Sequence, residues 1–205
     1  MATTFTRHFR YGQEEIDYLS RADPALGAAM EHMGRVERTI MPDPFAALAH
    51  AIVGQLISAK AASTVWDRLE TAAGAITPRN VAGLSAENIR RCGMTMKKAA
   101  SIRDIAQRAE RGELSPDALR ELSDKDVIDR LTAIDGVGKW TAEMLLLHAL
   151  ERPDVVSWGD VAIRRGMMKL YGLTELTKKQ FDEYRARYSP HGSVASIYLW
   201  EISFQ

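Results

Sequence analysis

Ile134-Asp135-Gly136-Val137-Gly138-Lys139-Trp140-Thr141-Ala142, followed eighteen residues past Trp140 by Trp158-Gly159-Asp160, is the stretch on which the reading of the fold turns. Gly136 and Gly138 stand where a turn feeds the start of a helix, and they leave their main-chain N–H groups open to close approach by an anion. The helix expected from Lys139 to Leu150 begins with small residues, Thr141 and Ala142. It then carries Met144, Leu145 and Leu147 on a core-facing side, which places the turn on a packed scaffold. Read without context, a Gly-x-Gly pair is a common loop feature, Trp140 is a core tryptophan on an apolar helix face, and Asp160 is an N-cap for Val161-Ala162-Ile163-Arg164-Arg165.

Outward from this stretch, apolar residues recur at helical spacing in both directions, and no run of alternating β-branched residues is convincing as a strand. The chain reads as all-α. Helices are predicted over Glu14–Leu19, Pro24–Met33, Pro44–Leu56, Ala59–Ala73, Asn80–Leu84, Ala86–Cys92, Lys97–Arg111, Pro116–Leu122, Asp124–Ala133, Lys139–Leu150, Asp160–Tyr171, Lys178–Tyr188 and Ser193–Ile202. Pro78, Gly93, Ser115-Pro116 and Pro190-His191-Gly192 punctuate them, and Ser123 with Asp126 resembles a capping box with Asp in place of Glu. No internal repeat or low-complexity linker interrupts the pattern.

The 205 residues are 46% hydrophobic, enough for one good core or two small lobes around a cleft. The formal net charge is zero, so any footprint for a polyanion has to be local. Between Glu87 and Arg111 seven cations stand against three anions, whereas the stretch up to Pro42 is mildly acidic. The single cysteine, Cys92, excludes an intrachain disulfide, a four-cysteine iron–sulfur cluster and a zinc knuckle. With no signal-like N-terminus and no apolar run of spanning length, a soluble protein of a reducing compartment is expected, cytoplasmic or nuclear.

Leu131 to Ala142 closely resembles the helix-hairpin-helix motif of base-excision DNA glycosylases, whose usual form is Leu-Pro-Gly-Val/Ile-Gly-x-x-Thr-Ala. Asp135 departs from it by replacing the proline. The resemblance implies that Gly136, Val137, Gly138, Lys139 and Thr141 meet the DNA backbone. It also implies that hairpin carbonyls, at Ile134 and Val137, hold a monovalent cation. Asp160 matches the family's catalytic aspartate at the start of the next helix, with Asp154-Val155-Val156 resembling a strand-like lead-in. A carboxylate there suits N-glycosidic cleavage, in which positive charge develops on the sugar, and an N-cap position helps keep it ionised.

Position 140 separates branches of the family. Members that also cut the strand usually carry there a lysine that forms a Schiff base. A tryptophan resembles the 3-methyladenine DNA glycosylase II (AlkA-like) branch, where the indole stacks on an electron-poor base. Ile52-Val53-Gly54-Gln55-Leu56-Ile57-Ser58-Ala59-Lys60-Ala61-Ala62 resembles the same branch, with Leu56 at the position that wedges into the duplex and Gln55 beside it; by itself Leu56 is an ordinary core residue. Ile89 to Ala99 and Tyr188 to Trp200 also resemble the family. His191 replaces an aromatic that usually lines the base pocket, and Gly192 replaces an arginine. His191 is either a pocket residue or an exposed loop histidine, and Trp158 either an added pocket wall or a brace for the Asp160 loop.

The resemblance implies a two-lobed glycosylase in compact form, without the N-terminal α/β domain of some relatives. Residues 46–154 form the hairpin lobe, residues 1–45 plus 155–205 form the other, and DNA lies in the cleft. The expected activity is monofunctional removal of alkylated purines such as 3-methyladenine from double-stranded DNA by a monomer, with no required cofactor, no iron–sulfur cluster and no membrane partner. The competing readings are a non-catalytic damage-binding or architectural DNA module, and a glycosylase for other damaged bases.

Overall fold

The structure is a computed structural model and describes residues 4–205. Among them the elements run β1 (Arg7–His8), α1 (Gln13–Ala22), α2 (Pro24–Met33), β2 (Thr39–Ile40), α3 (Pro44–Gly54), α4 (Ala59–Ala73), α5 (Pro78–Ala82), α6 (Ala86–Arg90), α7 (Met96–Glu110), α8 (Pro116–Arg120), α9 (Asp124–Thr132), α10 (Lys139–His148), α11 (Val161–Leu170), α12 (Lys178–Tyr188) and α13 (Gly192–Phe204). Every predicted helix is present. The two strands, which pair with each other, were not expected; at two residues each they are too short to show a period. The stretch Asp154-Val155-Val156 is extended chain outside any strand. The third predicted helix stops at Gly54, two residues early, because Leu56 takes a left-handed conformation (φ 58°) that no helix continues through.

The chain divides into two compact units. One holds Ile40–Leu150 together with residues 4–7, which were expected in the other lobe but are tied here by Thr4 N–H donating to Glu70 Oε1 at 3.0 Å, and the other joins His8–Thr39 to Glu151–Gln205. The division falls a few residues before the expected 46 and 154 for local reasons. Asp43 caps α3 by accepting from Ala46 N at 2.7 Å, which ties the preceding segment to the first unit. Glu151 accepts from Arg10 N at 3.2 Å, and Asp154 from Arg185 at 3.1 Å, which ties the 151–154 segment to the second.

In the first unit α3 is apolar on all sides and buried along nearly its whole length, as suits a helix with neighbours all round. It packs against α4, α7 and α10, while α5 and α6 lie on α7 and α9 packs on α10. In the second unit α13 has the same character, buried from Gly192 to Trp200, and packs on α11, α12 and α1. It crosses α11 closely at Gly166, where an added Cβ would stand 1.9 Å from the Leu199 carbonyl oxygen. Asp23, at the junction of α1 and α2, is 1% exposed yet fully partnered. It accepts from Leu26 N (3.0 Å), Tyr171 OH (2.6 Å) and Arg187 (3.2 Å), which satisfies a charge that burial would otherwise make costly.

Candidate functional site

The hairpin between α9 and α10 is closed by two short turns, Ile134 N–H to Leu131 O (3.0 Å) and Val137 N–H to Ile134 O (3.1 Å). The Ile134 and Val137 side chains are buried and anchor it. Gly136 is required by the chain itself: its φ is +83°, and a Cβ would meet Ser101 Oγ of α7 at 2.2 Å. Gly138 is different. It N-caps α10 with an ordinary φ of −84°, and a Cβ there would meet nothing within 4 Å. What its missing side chain leaves is open approach to the first N–H groups of α10, which by the nature of a helix start lack intrahelical partners. Gly138→Ala is therefore expected to change stability by about 1 kcal/mol or less while weakening DNA binding, measured by urea unfolding and by fluorescence anisotropy on duplex DNA.

Over the hairpin lies an open concavity of about 730 Å³ lined by residues 132–138, Gln55 and Lys97. Lys139 is largely exposed, with Glu143 at 3.8 Å. Thr141 is 1% exposed and its hydroxyl accepts from Gln55 Nε2 at 2.9 Å, so what it can offer a phosphate is its main-chain N–H. Gln55, expected beside the wedge, has its amide turned into the hairpin, where it also donates to Gly136 O at 3.1 Å. Trp140 is half-buried at the second position of α10.

Leu56 is fully exposed. A left-handed non-glycine residue costs about 1–2 kcal/mol, and leaving a leucine side chain in water forgoes roughly 1.5–3 kcal/mol of burial. Two such costs at one residue mark a position shaped for something other than stability. The loop carrying it is firmly held. Lys98 Nζ donates to Val53 O (2.9 Å) and Gln55 O (2.6 Å), and Ser58 begins α4 by accepting from Ala61 N (3.2 Å).

The basic stretch from Glu87 to Arg111 shrinks once its partners are seen. Arg90 and Arg91 pair with Glu87, Arg108 with Asp104 and Glu113, Arg111 with Glu113, and Arg103 donates to Leu84 O. Glu87, clasped by Arg90, has its carboxyl pulled down to about 2. Lys97 makes no ion pair among the described residues and lines the hairpin concavity, so the local positive footprint narrows to the hairpin.

In the second unit Asp160 is 8% exposed and caps α11, its Oδ1 accepting from Ala162 N (2.9 Å) and Ile163 N (3.0 Å). A residue that the sequence did not flag joins it electrostatically. Arg38 lies with its guanidinium 4.2 Å above the Trp200 ring; burial lowers its pKa, and the charges of Asp160 and then Glu201 oppose that shift. No local pattern could have found it, since Arg38 sits in the irregular link before β2. Trp158 meets Phe181 edge-on at 5.1 Å, with Arg164 at 4.9 Å from its ring, contacts that brace the Asp160 loop on α11 and α12.

His191 packs edge-on against Tyr18 at 4.9 Å, and Tyr18 OH donates to Ser189 O at 2.6 Å. The turn is organised by Asp154, which accepts from Arg185, Ser189 Oγ (2.8 Å) and Gly192 N (3.2 Å). Gly192 has a structural reason: a Cβ would stand 2.5 Å from Asp154 Oδ1 and 2.7 Å from Val156 Cγ2, so no arginine fits this turn as built. Ser193 Oγ accepts from Val155 N at 3.0 Å and Ser196 Oγ donates to Val155 O at 2.7 Å, fixing the approach to Asp160 without a strand.

Comparison with known proteins places the chain in a family. A family model described as HhH-GPD superfamily base excision DNA repair protein matches residues 49–190, a span that holds the Leu56 loop, the hairpin and Asp160. The chain is similar to DNA-3-methyladenine glycosylase 1 of Schizosaccharomyces pombe, 31% identical over 93% of this chain and 90% of the relative. Among solved structures it is similar to a DNA-3-methyladenine glycosidase from Bacillus halodurans (35% identity, TM-score 0.80, covering 96% of this chain and 92% of the other). It is also similar to a 3-methyladenine DNA glycosylase of S. pombe in complex with abasic DNA (28% identity, TM-score 0.85, covering 92% and 95%).

Proposed function

We propose that this chain, which belongs to the HhH-GPD superfamily of base excision DNA repair proteins, is a monofunctional DNA glycosylase that hydrolyses the N-glycosidic bond of alkylated purines such as 3-methyladenine. The observation that carries the reading is the pairing, within one family match, of Trp140 at the branch-specific position with an aspartate at the N-cap of the next helix but no lysine at 140. Relatives named for 3-methyladenine over nearly their full length support the substrate class.

In this reading Leu56 enters the duplex and fills the space left by the extruded nucleotide. Gly136 and Gly138 admit a backbone phosphate to the start of α10, and Lys97 and Lys139 add positive charge. Trp140 stacks on the extruded base, whose alkylation makes it electron-poor and cationic. Such a base leaves without needing a proton, so one acid suffices. The Asp160 carboxylate, oriented by the two N–H donors at the start of α11, stabilises the positive charge that grows on the sugar and orients the attacking water.

The hairpin fits the monovalent cation that the family implies. The oxygens there are neutral main-chain carbonyls, the Ile134 carbonyl spends one lone pair on Val137 N–H, and Asp135 adds a negative charge to the same concavity. Bound by the Ile134 and Val137 carbonyls, such an ion would supply positive charge for a phosphate.

Two measurements test the proposal. Purified protein is expected to release free 3-methyladenine from methylated duplex DNA, as followed by chromatography of the released bases. Borohydride reduction during incubation with abasic DNA is expected to leave no covalent adduct. Tight binding without base release would point instead to a damage-binding module, and a trapped adduct would overturn the monofunctional assignment.

A further inference from the structure

Two adjacent lysines at the start of α7 face different partners. Lys97 is exposed and lines the hairpin concavity, as a phosphate contact does. Lys98 is half-buried and reaches back to the end of α3, where its ammonium donates at 2.9 Å to Val53 O and at 2.6 Å to Gln55 O. Both distances belong to charge-assisted hydrogen bonds, and a cation is favoured at the negative end of a helix. Burial lowers the Lys98 pKa, so the group meets a desolvation cost that its carbonyl partners offset.

The Gln55 carbonyl is the one that matters, because its peptide plane leads directly into Leu56 and sets where the left-handed residue points. The Gln55 side chain is held too, by Gly136 O and Thr141 Oγ1 of the hairpin. The peptide before the wedge is thus pinned at its main chain by α7 and at its side chain by the hairpin. We propose that Lys98 is a positioning residue for nucleotide extrusion, which acts through Leu56 by locking the Gln55–Leu56 peptide and makes no contact with DNA. This rests on the wedge reading of Leu56 and goes beyond it, since a basic residue in a nucleic-acid-binding protein is ordinarily read as a phosphate contact.

The test is a double-mutant cycle on full-length protein, with extrusion followed by 2-aminopurine fluorescence next to the lesion and base release followed under single-turnover conditions. Lys98→Met keeps the length of the side chain and removes the ammonium. It is expected to slow extrusion about tenfold, whereas Leu56→Ala together with Lys98→Met is expected to be no slower than Leu56→Ala alone, within about twofold. Lys98→Arg, which can donate to the same carbonyls, is expected to restore at least part of the rate; this guards against a variant that only folds poorly.

Salt dependence separates the two lysines. Lys97→Ala is expected to reduce the slope of log K against log salt by about one, and Lys98→Met to leave it unchanged. Additive effects in the cycle, a fall in slope with Lys98→Met, or an unchanged extrusion rate would each overturn the inference. If Leu56→Ala leaves extrusion unchanged, the wedge reading falls and the inference falls with it, while base release by the wild type still stands as a separate result.

Discussion

Asp160→Asn is expected to lower the single-turnover rate of base release from methylated DNA by about 10²–10³-fold with almost no change in stability. The substitution separates the cap that the position supplies from the catalytic role proposed for it. As a cap, asparagine is as good as aspartate, and its Oδ1 can accept from Ala162 N and Ile163 N just as the present carboxylate oxygen does at 2.9 and 3.0 Å. The melting temperature should therefore stay within about 2 °C of the wild type. What asparagine cannot supply is the negative charge that opposes the growing positive charge on the sugar. Binding to DNA bearing an abasic analogue should persist. Asp160→Ala would be a poorer experiment, because it removes the cap as well, at about 1 kcal/mol. Equal release by Asp160→Asn and the wild type would reduce Asp160 to a helix cap and sink the mechanism.

The second large effect is expected at a residue with no chemistry. In Gly166→Ala the new Cβ would stand 1.9 Å from Leu199 O, 2.8 Å from Leu199 C and 3.1 Å from Leu199 Cα. All three are main-chain atoms, so no rotamer change relieves the overlap, and α11 and α13 would have to separate by roughly 1.5 Å to reach ordinary contact. α13 is the buried centre of its unit, with α11 its most extensive neighbour, so the displacement propagates through tightly packed side chains. A loss of about 3 kcal/mol or more is expected, visible as a lower urea midpoint. Because Asp160 begins α11, base release should fall as well, and by more than the folded fraction alone accounts for. A Gly166→Ala protein with wild-type stability would mean that α11 and α13 can part at little cost.

Much of this protein can be read along the chain because the deciding signals are local. Helical period, proline and glycine punctuation, and caps such as Ser123 and Asp160 act within a few residues, and all thirteen helices follow from them. The hairpin and the acid are legible for a related reason: Gly136, Gly138, Trp140 and Asp160 lie close together in sequence, so their types and spacing appear as one pattern. The end of α3 is not legible along the chain because the left-handed turn at Leu56 is held by distant residues, Lys98 on α7 and the hairpin partners of Gln55.

The sequence by itself determined the all-α class and the hairpin family and singled out Asp160 as the candidate acid, since each depends on residue type and spacing over short range. Only the tertiary structure decided which way individual side chains turn. It sent Lys97 to the concavity and Lys98 to the α3 carbonyls, turned Gln55 and the Thr141 hydroxyl towards each other, set Trp158 against Phe181, and tied Gly192 to Asp154. The physical reason is that a side chain's role is set by the partners it meets across the fold, and contacts between residues tens of positions apart leave no periodic trace in the chain.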